Sequence, residues 1–168
     1  MTEFFVFLHD LSVMRKTAFW ILAVACLLVA GCSGPSKDAY VIDHSFHNAV
    51  WERFDYIHND IELKEPATFD LDLRVGFTDD YPYDDFEIVF TVFDGQGNRY
   101  RAKGYKFVLK DGEGHWKSPL KDGCHTYEFP INKELKIADA GTYRFQVEYR
   151  MPKTPLVGVK ELTLINNN

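Results

Sequence analysis

The sequence predicts an all-β fold, an antiparallel β-sandwich of immunoglobulin-like or jelly-roll-like type. Three observations predict it. Apolar and polar residues alternate in several segments of strand length, turns containing Gly and Pro recur between them, and no segment carries a long helical apolar period.

Tyr40, Val41 and Ile42 open the series, and together with the stretch 51–61 they read as short strands around a polar connection. Phe69, Leu71, Leu73 and Val75 then alternate with Asp70, Asp72 and Arg74, the pattern of a strand with one face in a core and one in water. Pro82, within Asp79, Asp80, Tyr81, Pro82 and Tyr83, interrupts it because proline cannot donate to a central ladder. Residues 86–93 form the strongest strand. Phe86, Ile88, Phe90 and Val92 share one face, while Val89, Thr91 and Phe93 make the other apolar enough to suggest a central strand.

Asp94, Gly95, Gln96, Gly97 and Asn98 signal a hairpin turn, with 99–109 as its returning arm and Arg99, Arg101 and Lys103 on one solvent-facing side. A turn at 111–114 follows, and 115–124 reads as a loop crossing between sheets. Tyr127, Glu128 and Phe129 form a short strand, and 132–137 is either one helical turn or an extended link. Tyr143, Phe145, Val147 and Tyr149 alternate again, and a last strand covers 156–165. Asp139, Gly141 and Tyr143 have the arrangement of a tyrosine corner, in which the hydroxyl bonds back to nearby backbone at a crossing between sheets. The alternative is a simple turn ending in an aromatic strand residue.

Ahead of this domain, Arg15 and Lys16 precede an apolar run at 17–31, which is shorter than the roughly 20 residues that span a bilayer. The run ends in Leu28, Val29, Ala30, Gly31 and Cys32, the pattern of a bacterial lipoprotein signal whose cysteine is acylated. The expected organisation is a signal peptide at 1–31, a polar tether at 32–38 and the sandwich at 39–168. Glu3 and Asp10 do not suit a signal's start, so Met14 is the expected initiator and 1–13 an upstream translation. Ser33, in place of an inner-membrane retention Asp, points to the outer membrane and leaves the leaflet face open. Several acyl chains anchor firmly, because each buried methylene contributes about 0.8 kcal/mol.

With Cys26 removed and Cys32 acylated, Cys124 stands alone and no intrachain disulfide is available. Residues 37–94 hold 15 acids and 4 bases, whereas 95–168 hold 8 acids and 13 bases. A sandwich could set these on different faces, or adjacent strands could neutralise one another. Net negative charge and the compartment both argue against nucleic acid as a partner.

Candidate chemistry is sparse. Asp79, Asp80, Asp84 and Asp85 offer oxygen ligands for calcium or form a solvated acidic rim. His44, His47, His58, His115 and His125 are too scattered for a zinc site, so neither metal nor cofactor is expected. The aromatic content is the better lead. Trp51, Phe54, Tyr56, Tyr81, Tyr83, Trp116, Tyr127 and Tyr149 exceed what one small core absorbs. Tyr81, Tyr83 and Trp116, with Asp84 and Asp85 beside them, are the expected surface contacts for a protein partner or, alternatively, a stacking platform for glycan.

In order along the chain, several short elements together resemble the gliding-motility lipoprotein family GldH of the Bacteroidetes. They are Leu28 to Cys32; Leu73, Arg74 and Val75 leading to Tyr81, Pro82, Tyr83, Asp84 and Asp85; and Asp94, Gly95, Gln96 and Gly97. Gly114, His115 and Trp116, then Gly141 to Phe145, and Leu156, Val157, Gly158 and Val159 complete the resemblance, which spans 32–165. Lys160, Glu161 and Leu162 depart from the family's more usual closing strand. The resemblance implies a non-enzymatic, lipid-anchored envelope component associated with gliding motility or type IX secretion. Such a component acts through contacts with other envelope proteins and has no catalytic residues to carry over.

Overall fold

The computed structural model describes residues 40–168. The lipidation candidate Cys32, the leader and the tether lie outside the described residues.

Eleven strands form the domain: β1 (Tyr40–Ser45), β2 (Val50–Trp51), β3 (Ile57–Leu63), β4 (Ala67–Phe77), β5 (Asp85–Phe93), β6 (Arg99–Val108), β7 (Leu120–Lys121), β8 (Cys124–Ile137), β9 (Gly141–Tyr149), β10 (Leu156–Val157) and β11 (Val159–Asn166). The front sheet has the order β1-β11-β4-β8-β7, the back sheet β3-β9-β5-β6, and β2 pairs with β10 in a small ribbon. Every pairing is antiparallel.

The eight longer strands pair as the first with the last, the second with the seventh, the third with the sixth and the fourth with the fifth. That is one long antiparallel hairpin, with the β5–β6 turn at its tip, wound into two sheets. The sandwich is therefore a jelly roll rather than an immunoglobulin-like arrangement.

Alternation sets which faces meet. Leu71, Leu73, Val75 and Phe77 of β4 turn inward against Phe86, Ile88, Phe90 and Val92 of β5, with Phe145 and Val147 of β9 and Leu162 and Leu164 of β11 completing one core. Phe69 packs on Phe145 with ring centroids 5.1 Å apart, and Phe77 on Phe86 at 5.2 Å, so the two sheets interlock through rings.

β5 lies between β9 and β6, the central position its apolar outer face suggests. Its hairpin turn is held by Asp94, whose Oδ1 accepts the N–H of Gln96 at 3.0 Å and of Asn98 at 2.8 Å. Val92 pairs with Arg101 and Phe93 with Arg99, leaving Tyr100 as an extra residue bulged out of register.

β8 is longer than the segment 127–129 suggests. Residues 132–137 are extended, and register shifts opposite Phe69, Leu71 and Asp72 mask the strand in the sequence. Beyond β7 its outer side is an edge, which is why Pro130 is accommodated. Between β8 and β9 the chain crosses from front sheet to back. There the Tyr143 hydroxyl donates to the carbonyl of Asp139 at 3.2 Å, and Gly141 opens β9 with φ +152°.

Candidate partner-docking edge

The residues expected to form a surface platform gather at one end of the sandwich, but most face inward. Tyr81 is only 1% exposed. Its hydroxyl donates to the Asp85 carbonyl at 2.8 Å, and its ring meets Phe77, Tyr83, Phe86 and Trp116. Burial and the neighbouring Asp85 push its hydroxyl well above the ordinary tyrosine range, so it stays a neutral donor. The expectation that Tyr81 is a surface contact is thus corrected. The loop 79–84 folds over the open end of the core, and Gly158 lets its backbone press close.

Tyr83 is half-buried, its hydroxyl accepting the Lys153 N–H at 3.2 Å. Trp116 is also half-buried, with His125 parallel to it at 4.3 Å and the Lys110 ammonium over its ring at 4.7 Å. These neighbours occupy the ring surface that a sugar would need for stacking. His125 Nε2 meets Asp79 Oδ1 at 3.0 Å, and its Nδ1 meets the Ser118 carbonyl at 2.6 Å, a fully used buried imidazole. Asp84 lies 3.6 Å from Lys110, and Asp85 2.7 Å from Lys106. These carboxylates are held in ion pairs rather than gathered for a cation. Among the described residues no group of His, Cys, Asp or Glu converges as a metal site, and Cys124 is a free, buried thiol.

A second surface follows the lateral seam where β6 of the back sheet faces β8 of the front sheet. β6 is an edge strand and β8 is an edge beyond the two residues that β7 covers, and no backbone ladder joins them. Side chains close the gap instead. Tyr105 and Phe107 pair in register with Ile88 and Phe86, so they share the inward side of the sheet. Phe107 stacks on Phe129 at 3.9 Å with 9° between planes, Tyr105 follows at 5.9 Å, and Tyr127 lies 5.6 Å beyond Phe129. Tyr105 donates its hydroxyl to the Ile131 carbonyl, and the bulged Tyr100 donates to the Lys136 carbonyl at 3.0 Å. Both bonds occupy carbonyls on the outer edge of β8. Burial raises the Tyr105 hydroxyl pKa, which keeps it in the donor form.

The ring row continues into charge. Arg101 and Lys103 pair with Val92 and Phe90 and occupy the same side of β6 as the rings, with the Lys103 ammonium 4.7 Å from the Tyr105 centroid. They remain exposed because β6 is an edge, and inward-pointing charge is a known device of edge strands.

Both readings of the charge split hold in part. Asp60 grips Arg144 through bonds of 2.7 and 2.9 Å, Glu128 pairs with Arg74 at 2.8 Å, and Lys106 bridges Asp85 and Glu87. Among the described residues, however, Arg99, Arg101 and Lys103 of β6 and Lys133 and Lys136 of β8 form no ion pair. Five uncompensated cations therefore border the seam, though others such as Arg53, Lys64 and Lys153 lie away from it.

The sequence reading missed this site. Its signal was the side shared by Arg101, Lys103, Tyr105 and Phe107, cations running into aromatics at a two-residue spacing, which suits an edge strand better than a solvated face. The aromatic surplus does reach solvent elsewhere, at Phe54 and Tyr56. Phe54 is 69% exposed at φ +62°, in a turn pinned by the Trp51 indole N–H to the Asp55 carbonyl at 2.6 Å.

A family model described as GldH lipoprotein matches residues 39–164. No curated protein matches the chain at a significant level. The match takes in the whole sandwich from β1 into β11, including the end cluster and the seam, and the chain belongs to the GldH lipoprotein family, a non-catalytic envelope family associated with gliding motility.

Proposed function

We propose that the protein is a lipid-anchored component of the outer-membrane assembly that serves gliding motility or type IX secretion, held by acylated Cys32 and docking an envelope protein through the β6–β8 seam. The carrying observation is the seam itself. Two edge strands are closed only by aromatic side chains, and unpaired cations border the closure. Half-exposed rings surrounded by charge are the composition of a partner-binding surface, where aromatic anchors supply most of the energy and charge selects the partner. The anchor supports the same role. From Cys32 to the start of β1 the chain reaches at most about 30 Å, so acylation keeps the domain close to one membrane surface.

The test is position-specific photo-crosslinking in intact cells. A photoreactive residue at Lys103 or Val108, on the seam strand, is compared with one at Glu62 on the opposite edge. The seam positions are expected to capture one common envelope protein, Glu62 is expected not to, and C32A is expected to abolish capture by mislocalising the domain. Equal capture from Glu62, or none from the seam, overturns the proposal.

A further inference from the structure

We infer that β6 takes up an acidic, extended segment of the partner by strand addition. This inference rests on the docking role proposed above and specifies the partner's chemistry.

β6 is ten residues long, about 33 Å, and is exposed over most of its length. It ends the back sheet, and among the described residues no backbone or side-chain group bonds to its outward backbone edge. β8 differs, since its outer carbonyls at Ile131 and Lys136 are occupied by tyrosine hydroxyls. Of the two seam strands, β6 is the free template.

Charge names the occupant. Arg99, Arg101 and Lys103 lie on the strand, Lys133 and Lys136 stand across the seam, and Glu134 is the one acid among them. A second copy of β6 laid antiparallel would set cations against cations, so the charges that guard the edge against self-pairing also favour an acidic strand. A bilayer of anionic lipid would satisfy the cations but not the outward-facing backbone groups of alternate β6 residues or the ring row.

Register gives a pattern. Side chains paired across strands share a side, so an antiparallel segment would meet Phe107, Tyr105, Lys103 and Arg101 in that order. Its alternate residues would be apolar, apolar, acidic and acidic. The backbone supplies affinity and the alternate side chains supply choice.

The test uses the acylated full chain in neutral phosphatidylcholine vesicles and a fluorescein-labelled nine-residue peptide. The peptide alternates threonine with valine, valine, glutamate and glutamate. The peptide is expected to bind, to weaken as salt rises, and to lose affinity about tenfold against R101E/K103E. A matching peptide with lysine for glutamate should prefer the doubly reversed variant. N-methylation of one alternating set of peptide amides should abolish binding, while methylation of the other set should not.

Equal binding by both N-methylated peptides means charge attraction alone and overturns strand addition. So does failure of the acidic peptide to bind, or its displacement by phosphatidylglycerol added to the vesicles. If seam crosslinks form while the peptide fails, docking stands and only strand addition falls. If neither occurs, both fall.

Discussion

Gly158→Ala should destabilise the domain far more than its one added methyl suggests. Gly158 sits between β10 and β11 at φ +87°. Its N–H donates to the Ala49 carbonyl at 2.8 Å, and its own carbonyl accepts the Thr78 N–H at 2.9 Å, so the residue ties the small ribbon to the loop over the core. A Cβ at this position would lie 2.5 Å from both Cα and N of Tyr81, which are backbone atoms that cannot swing aside. The left-handed conformation costs a non-glycine residue about 1–2 kcal/mol. Moving the buried Tyr81 segment adds the penalty of overpacking, about 1–3 kcal/mol. The expected total is about 2–5 kcal/mol, a fall in Tm of roughly 10 °C for a domain of this size. Gly97→Ala separates the two terms. Gly97 has nearly the same φ, +82°, but nothing lies within 4 Å of its added Cβ, so only the conformational cost of about 1–2 kcal/mol remains. Urea unfolding followed by tryptophan fluorescence reports both variants, because Trp51 and Trp116 lie in the described core and its end. Gly158→Ala no more destabilising than Gly97→Ala would refute the close-approach reasoning.

Three further outcomes are expected. Tyr105→Phe keeps the stacked ring but removes the hydroxyl bonded to Ile131, so urea unfolding should show a loss of about 1 kcal/mol together with faster amide exchange in β8; unchanged stability would mean that the seam is closed by stacking alone. Tyr143→Phe should cost about 0.5–1.5 kcal/mol by freeing the Asp139 carbonyl, and no loss in the same assay would leave the crossing held by β9 packing. Asp60 beside Arg144, Asp94 within its turn and Asp111 under the His115 amide all have carboxyl pKa values held below the ordinary 3.8. Their contribution is therefore present above about pH 4 and lost as pH falls through the lowered folded values, with stability measured from pH 5 to pH 2 expected to decline in that window and a flat profile counting against it.

What was legible in the sequence follows from where burial is one-sided. β4, β5 and β9 each set one face in the core, so Leu71, Phe90 and Phe145 stand in unbroken alternation and reveal their strands directly. β8 breaks its alternation at bulges around Pro130 and Asn132, so only its middle was visible. The choice between jelly roll and immunoglobulin-like order depends on which distant strands pair. β1 against β11 leaves no local trace in either segment. Tyr81 misled for a related reason: a Pro-containing acidic loop reads as surface, while its burial is conferred by Gly158 some 77 residues later. The seam was partly written in β6, but the meaning of Arg101 and Lys103 beside Tyr105 depends on β6 being an edge, which only the pairing discloses.

The most direct test of the account is amide hydrogen exchange across β6, Arg99–Val108, in native membranes and in the purified protein. A seam that docks an envelope partner predicts that β6 amides exchange slowly in membranes and quickly after purification, while β3 on the opposite edge, Ile57–Leu63, behaves alike in both. Equal exchange of β6 in the two preparations, with the protein acylated and in place, would contradict the central claim.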